Sequence, residues 1–188
     1  VKGAGKFKKA YMWCRLTGVG PPMIAFHFSP SRSQDVAESL LGDYSGTIIR
    51  DSYIGYDKLG CDVACCWAHV RRYLVEAFDN GYLKVEPLLK LVRNLYQIER
   101  EAKERAEKKG TETALFQERK TARRVSQKLV AEFFKQCRAL RESERPTSPV
   151  AKAVAYALNI EAELKKFLDD LRLNIDNNPA ERLNRGVA

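Results

Sequence analysis

The segment "GTIIRDS" at residues 46–52 has the pattern of a short strand that ends in a carboxylate. The apolar pair Ile48 and Ile49 is typical of a buried strand, and Asp51 stands where the strand gives way to a loop. A carboxylate in this position is a candidate ligand for Mg²⁺, which prefers a few oxygen ligands. The alternative is that Asp51 opens the loop by bonding to its own backbone, and the local sequence alone favours that alternative.

Further strands and a helix surround this segment. Two apolar segments joined by the turn "GVGPP" predict a β-hairpin. After the hairpin, Val36, Leu40 and Leu41 share one face of a helix that ends at Gly42. We expect hairpin strands at residues 9–17 and 23–29, a crossover helix within 33–46, and another buried strand at 61–67.

From His69 onward the apolar residues recur at helical spacing. Two charged runs in this part of the chain, at residues 103–109 and 119–124, are interpreted as solvated helix faces. We predict successive helices that begin near His69, Val85, Leu115, Ser148 and Ile160.

The order of these elements predicts an α/β fold. A hairpin, a crossover helix and a strand that ends in Asp fit one topology especially well, an RNase H-like mixed sheet with flanking helices. A large all-helical insertion then precedes the last helix. We predict an RNase H-like core at residues 1–82, the helical insertion at 83–146, and a return to the core at 147–188.

The segment "LNIDNNPAERLNRG" at residues 173–186 predicts the start of the last helix. Asn177 or Asn178 can serve as the N-cap, and Pro179 suits the first helical position. Glu181 then falls about three residues past the cap, where a carboxylate can reach back to an unpaired amide. Capping explains this spacing completely, so a functional role for Glu181 requires a second argument.

The charge balance favours a polyanionic partner. The 188 residues include 33 Lys and Arg against 24 Asp and Glu, which gives a formal net charge of +9. Nucleic acid fits this charge because each phosphate contact releases condensed counterions, and an ordinary basic protein is the alternative. No apolar run approaches the ~20 residues of a membrane span, so we expect no membrane association. The chain begins at Val1 rather than Met, and we expect it to be part of a longer protein.

Three of the five cysteines, Cys61, Cys65 and Cys66, lie close to His69 in the sequence. An odd number of cysteines without a secretion signal is typical of reduced thiols in a cytosol. Zinc ligation is conceivable, but no C-x-x-C pair is repeated at a second site. The run "CDVACCWAHV" is almost continuously apolar, and free Cys is commonly buried. We therefore predict a buried strand here rather than a metal site.

Three blocks, taken in order, resemble one protein family. They are "RDSYIGYDKL" (50–59), "CWAHVRR" (66–72) and "FLDDLRLNIDNNPAERLNR" (167–185). Together they look like the catalytic domain of transposases of the insertion sequence 66 family, a bacterial DDE group with an RNase H-like core. The resemblance extends over essentially the whole chain, including the hairpin and "SPSRSQDVAESLLGDYSG".

The resemblance supplies the second argument for Glu181. It implies that Asp51 and Glu181 are the second and third catalytic carboxylates and bind Mg²⁺ or Mn²⁺, with two ions in the complete protein. Asp57 and Asp176 are the reserve carboxylates. The family's first catalytic Asp lies on a strand ahead of the hairpin, whereas this sequence has no Asp or Glu before Asp35. We therefore expect an amino-truncated fragment that lacks the first strand and is inactive by itself.

Basic residues near these blocks are candidate DNA ligands, since guanidinium groups match phosphate oxygens. The alternative for each is a solvated position on a helix. The candidates are His69, Arg71 and Arg72 after the buried strand, and Arg182 and Arg185 beside Glu181.

The implied function is DNA transposition, by metal-dependent cleavage at the 3′ ends of an insertion sequence followed by strand transfer. The implied partners are transposon ends and target DNA, with a homo-oligomer assembled on DNA. The implied location is the bacterial cytoplasm, on the nucleoid when DNA is bound. The alternative is a noncatalytic nucleic-acid-binding relic of a transposase, whose basic surface persists after the chemistry is lost.

Overall fold

The computed structural model describes residues 9–51, 59–111 and 113–185. The strands are Tyr11–Leu16 (β1), Ile24–Ser29 (β2), Thr47–Arg50 (β3) and Asp62–Cys65 (β4). The helices are Gln34–Leu41 (α1), Trp67–Asp79 (α2), Glu86–Lys109 (α3), Ala114–Ser143 (α4), Pro149–Asn159 (α5), Glu161–Asp169 (α6) and Asn178–Arg185 (α7). A short 3₁₀ turn, Leu83–Val85, precedes α3.

The four described strands form two separate two-stranded sheets. β1 pairs with β2 in the antiparallel sense, with Tyr11 opposite Ser29, and β3 pairs with β4 in the parallel sense, with Thr47 opposite Asp62. The α/β class is confirmed, but the described strands do not join in the single mixed sheet that the sequence predicted. Alternating polar and apolar residues, or a short apolar run, identify a strand in the sequence. The strand with which it pairs is set by the tertiary fold, so the local pattern does not predict it.

The hydrophobic core is built around Trp67, whose side chain is fully buried at the start of α2. Its ring makes edge-to-face contacts with Phe133 and Phe167, at centroid distances of 5.1 and 6.3 Å. The indole N–H donates a hydrogen bond to the Leu164 carbonyl at 3.0 Å, which satisfies its polar group inside the core. This core joins β4 to α2, α3, α4, α5 and α6.

α3 and α4 form an antiparallel helix pair. Near the middle of both helices, Glu99 contacts Arg123. Nearer the connection between them, Arg105 contacts Glu118. α3 ends at Gly110, whose φ of 63° is the left-handed conformation that glycine adopts without strain. The described residues between 83 and 146 contain helices and turns but no strand, and the division into domains at 82 and 146 stays a prediction.

The cap predicted for α5 is present. The Ser148 hydroxyl accepts a hydrogen bond from the Ala151 amide at 3.0 Å, and Pro149 occupies the first turn. None of the described helices has the length and apolar character needed to cross a membrane.

Candidate functional site

A cavity of about 1010 Å³ lies beside the hairpin and β3. Its walls come from β1, α1, β3 and the segment that leads into α7. Asp51 and Glu181, which are far apart in the sequence, both line this cavity. Their catalytic and metal-binding roles stay predictions.

Asp51 reaches the cavity because β3 ends one residue before it. Its carboxylate is 31% exposed and lies 3.6 Å from a terminal nitrogen of Arg32. Its backbone carbonyl accepts a hydrogen bond from Arg50 at 3.0 Å. The carboxylate is therefore partly solvated and has a cation beside it.

Glu181 is held by the start of α7. The Asn177 carbonyl accepts a hydrogen bond from the Glu181 amide at 3.2 Å, so Asn177 occupies the N-cap position. The Glu181 carboxylate lies 3.5 Å from His69 Nε2 and 3.6 Å from a terminal nitrogen of Arg72. Because Asn177 is the N-cap, Pro179 is the second helical residue. Glu181 therefore lies one position beyond the capping-box position that the sequence predicted.

Asp176 supports the helix that carries Glu181. Its carboxylate accepts hydrogen bonds from the backbone amide of Asn178 at 3.2 Å and from its side-chain amide at 2.6 Å. A carboxylate at this end also interacts favourably with the helix dipole. The other reserve carboxylate, Asp57, lies outside the described residues.

The predicted DNA ligands differ in accessibility. Arg71, Arg72 and Arg182 are exposed, whereas the His69 side chain is only 12% exposed. His69 Nδ1 is buried and has no hydrogen-bond partner among the described residues. The side chain of Arg185 lies outside the part of the chain whose side chains are described. The contacts of these residues with DNA stay predictions.

Basic side chains flank both carboxylates of the cavity. Arg32 lies beside Asp51, while His69 and Arg72 lie beside Glu181. Carboxylate oxygens are suitable ligands for hard divalent ions, and guanidinium groups suit phosphate oxygens. In residues 9–51, 59–111 and 113–185, no three His, Cys, Asp or Glu side chains group as metal ligands. Metal binding by Asp51 and Glu181 therefore stays a prediction.

The cysteines near His69 form part of the buried structure. Cys65 and Cys66 are buried at the end of β4, which confirms the prediction of a buried strand. Burial raises the pKa of the Cys66 thiol to about 11, so this thiol is protonated at neutral pH.

Sequence reasoning missed a buried charged cluster on α3 and α4. Arg119 and Arg123 were predicted to be solvated, but their side chains are only 7% and 1% exposed. Both contact the buried carboxylate of Glu99. Their spacing placed them on the same helix face as Ser126 and Val130, which is the signal that could have revealed their burial.

Comparison with known proteins identifies relatives over the whole chain. The sequence model described as "Transposase IS66 family" matches residues 1–188. Two relatives come from Sinorhizobium fredii. The chain is 28% identical to "Uncharacterized protein y4qI" over 96% of the chain and 35% of that protein. It is also 28% identical to "Uncharacterized protein y4jD" over 99% of the chain and 38% of that protein. The chain thus spans little more than a third of each, and no solved structure matches it.

Proposed function

The chain belongs to the IS66 family of transposases, and from this premise we propose that it forms part of the catalytic domain of a metal-dependent DNA transposase. The observation that carries the proposal is that Asp51 and Glu181, from separate family-like blocks, line one cavity. The cationic side chains beside them suit a phosphate-bearing substrate.

In this proposal Asp51 and Glu181 hold Mg²⁺ or Mn²⁺. Such ions stabilise the attacking and leaving oxygens of an in-line displacement at phosphorus. Arg72 and Arg32 are exposed enough, at 59% and 42%, to exchange their carboxylate contacts for phosphate oxygens. Arg71, Arg182 and Arg185 bind the DNA backbone further out. His69, which is mostly buried, holds the Glu181 carboxylate in orientation.

The proposed fold of this domain is RNase H-like. β1 and β3 each pair with one neighbour among the described strands, and both line the cavity. A strand that paired with both would unite the two small sheets into one mixed sheet. The resemblance implies such a strand ahead of the hairpin, with the first catalytic Asp. We propose that the complete protein acts on the bacterial nucleoid as a homo-oligomer assembled on DNA.

Cleavage of transposon-end DNA tests the proposal. The protein encoded by the longest open reading frame that contains this chain would be mixed with labelled duplexes from both ends of its element and Mn²⁺. We expect cleavage at the 3′ ends, and we expect Asp51→Asn and Glu181→Gln each to abolish cleavage while DNA binding persists. Glu142→Gln, at an exposed position of α4, is the matched control. Full activity in either site variant would refute the catalytic assignment.

A noncatalytic DNA-binding relic is the second candidate. The net charge of +9 supports DNA binding whether or not the carboxylates are catalytic. If the longer protein bound DNA with a steep salt dependence but cut neither end, this candidate would replace the first.

A further inference from the structure

Arg123 joins the helix pair to the segment that precedes α7. On one side its guanidinium makes a two-pronged contact with the buried Glu99 carboxylate, at 2.9 and 3.2 Å. On the other side it donates to the carbonyls of Asp170 at 2.7 Å and Leu173 at 2.6 Å, and to the carbonyl of Phe167. A single side chain of α4 therefore binds three carbonyls between the end of α6 and the approach to α7.

Arg119, one turn before Arg123 in α4, binds the same segment that precedes α7. It donates to the Leu171 carbonyl at 2.9 Å and to the Asn174 side-chain oxygen at 2.5 Å. Its Nε lies 3.4 Å from Glu99, so one carboxylate faces two guanidinium groups. We call Glu99, Arg119 and Arg123 the arginine clamp.

The charges of the arginine clamp are balanced by backbone dipoles. Two cations and one carboxylate leave an excess positive charge in a buried site. The carbonyls at the C-terminal end of α6 carry partial negative charge and offset that excess. Burial lowers the pKa of Arg119, but its ordinary value is so high that the group remains charged at neutral pH. Apolar residues can often replace a buried ion cluster without loss of stability, so stability alone does not account for this one.

The clamped segment continues directly into the candidate site. After Asn174, the Ile175 carbonyl accepts a hydrogen bond from the Trp67 amide at 3.1 Å, which ties the segment to the start of α2. Asp176 then holds the first turn of α7, and Glu181 follows within that helix. The position of Glu181 relative to α2 therefore depends on how residues 170–176 are held.

We infer that Arg119 and Arg123 are positioning residues for Glu181. They act from the helix pair, through the backbone of residues 170–174, and touch neither DNA nor metal. This inference rests on the proposed function, in which Glu181 is a metal ligand. It assigns the helix pair a role in setting the geometry of the site.

The test combines hydrogen exchange with DNA cleavage in the longer protein. Arg123→Lys keeps a positive charge beside Glu99 but loses the planar fork that reaches several carbonyls. We expect amide exchange in residues 170–176 and in α7 to rise at least about tenfold, because hydrogen bonds from a charged donor are lost. We expect kcat for cleavage to fall about 100-fold, the scale associated with a misplacement near 1 Å, while KM for DNA stays unchanged.

Two further variants keep the test decisive. Arg124→Gln, on the exposed face of the same helix, is the matched control and should change neither quantity. If Arg123→Lys does not fold, as judged by circular dichroism, Arg119→Gln takes its place, since the contact between Arg123 and Glu99 then remains.

The outcomes separate this inference from the proposed function. If amide exchange in α7 is the same in Arg123→Lys as in the unsubstituted protein, the arginine clamp does not hold α7 and the inference is wrong. If amide exchange rises but kcat for cleavage is unchanged, the arginine clamp does not position Glu181. If the unsubstituted protein cut no DNA, the proposed function would fail, and the clamp would be judged by the exchange of α7 alone.

Discussion

Glu181 shows how one residue can satisfy a local rule of helix formation and still be available for chemistry. Its amide bonds to Asn177 as α7 requires, while its carboxylate faces His69 and Arg72 on another helix. Arg72 is 59% exposed and Glu181 is 30% exposed, so water screens their attraction. An exposed pair such as that between Arg72 and Glu181 contributes little to folding, and the metal-binding role of Glu181 stays a proposal.

Replacing Glu181 by Gln should therefore leave the protein folded and nearly as stable. We expect a loss of less than about 1 kcal/mol in the free energy of unfolding, because the contact with Arg72 is solvated and the glutamine side chain can still hydrogen-bond to His69. Urea titration followed by circular dichroism measures this loss. A loss above about 2 kcal/mol would show that Glu181 serves mainly to hold α7 in place.

At the scale of elements, the turn between α3 and α4 depends on Gly110. Its φ is 63°, and a Cβ added there would meet nothing within 4 Å. The cost of Gly110→Ala therefore comes from the left-handed backbone conformation and not from steric crowding of the added methyl group. We expect a destabilisation of about 1 kcal/mol, measured by thermal unfolding.

Gly60 provides the matched control for this substitution. A Cβ at Gly60 also meets nothing within 4 Å, but its φ is not in the left-handed region. Gly60→Ala should be neutral or slightly stabilising, because it reduces the freedom of the unfolded chain. Equal effects at Gly60 and Gly110 would contradict the conformational explanation.

The elements were largely predictable from the sequence, whereas their partners were not. Apolar spacing located β3, the Ser148 cap located the start of α5, and the Asn-Asn-Pro sequence located α7. The split into two sheets was not predictable, because strand pairing is decided by distant segments. The burial of Arg119 and Arg123 was not predicted, because charged side chains are normally solvated. The groups that make their burial possible, Glu99 and the carbonyls before α7, lie far from them in the sequence.

Bringing Asp51 and Glu181 to one cavity depends on elements from both ends of the chain. The sequence predicted both residues through a resemblance, and their spacing alone could not have linked them. β3, which precedes Asp51, pairs with β4, and the amide of Trp67 just after β4 donates a hydrogen bond to the Ile175 carbonyl, which ties this region to the segment before α7. Contacts between segments so far apart in sequence leave no periodic signal.

For the molecule as a whole, carboxylates paired with Lys or Arg contribute to the response to acid. A hydrogen bond from Lys166 lowers the pKa of Asp62, and a hydrogen bond from Lys84 lowers the pKa of Glu144. Lys109 and Arg105 lower the pKa of Glu118 in the same way. Because these pKa values are lower in the folded state, the unfolded chain binds more protons in acid.

The melting temperature should therefore fall on acidification. The stabilisation is present above the unfolded carboxylate pKa values of about 4 and is lost as the pH falls through the lower folded values. Calorimetry between about pH 7 and pH 2.5 measures this loss. A melting temperature that stayed constant or rose below pH 4 would contradict the assignment.

Iron-directed backbone cleavage is the most direct test of whether Asp51 and Glu181 belong to one divalent-metal site, as we propose. Fe²⁺ bound in place of Mg²⁺, with ascorbate and peroxide, generates radicals that cut the chain close to the bound ion. We expect cuts near both residue 51 and residue 181, suppressed by excess Mg²⁺ and lost in Asp51→Asn. Cuts at only one of these positions, or cuts that persist in Asp51→Asn, would contradict this proposal.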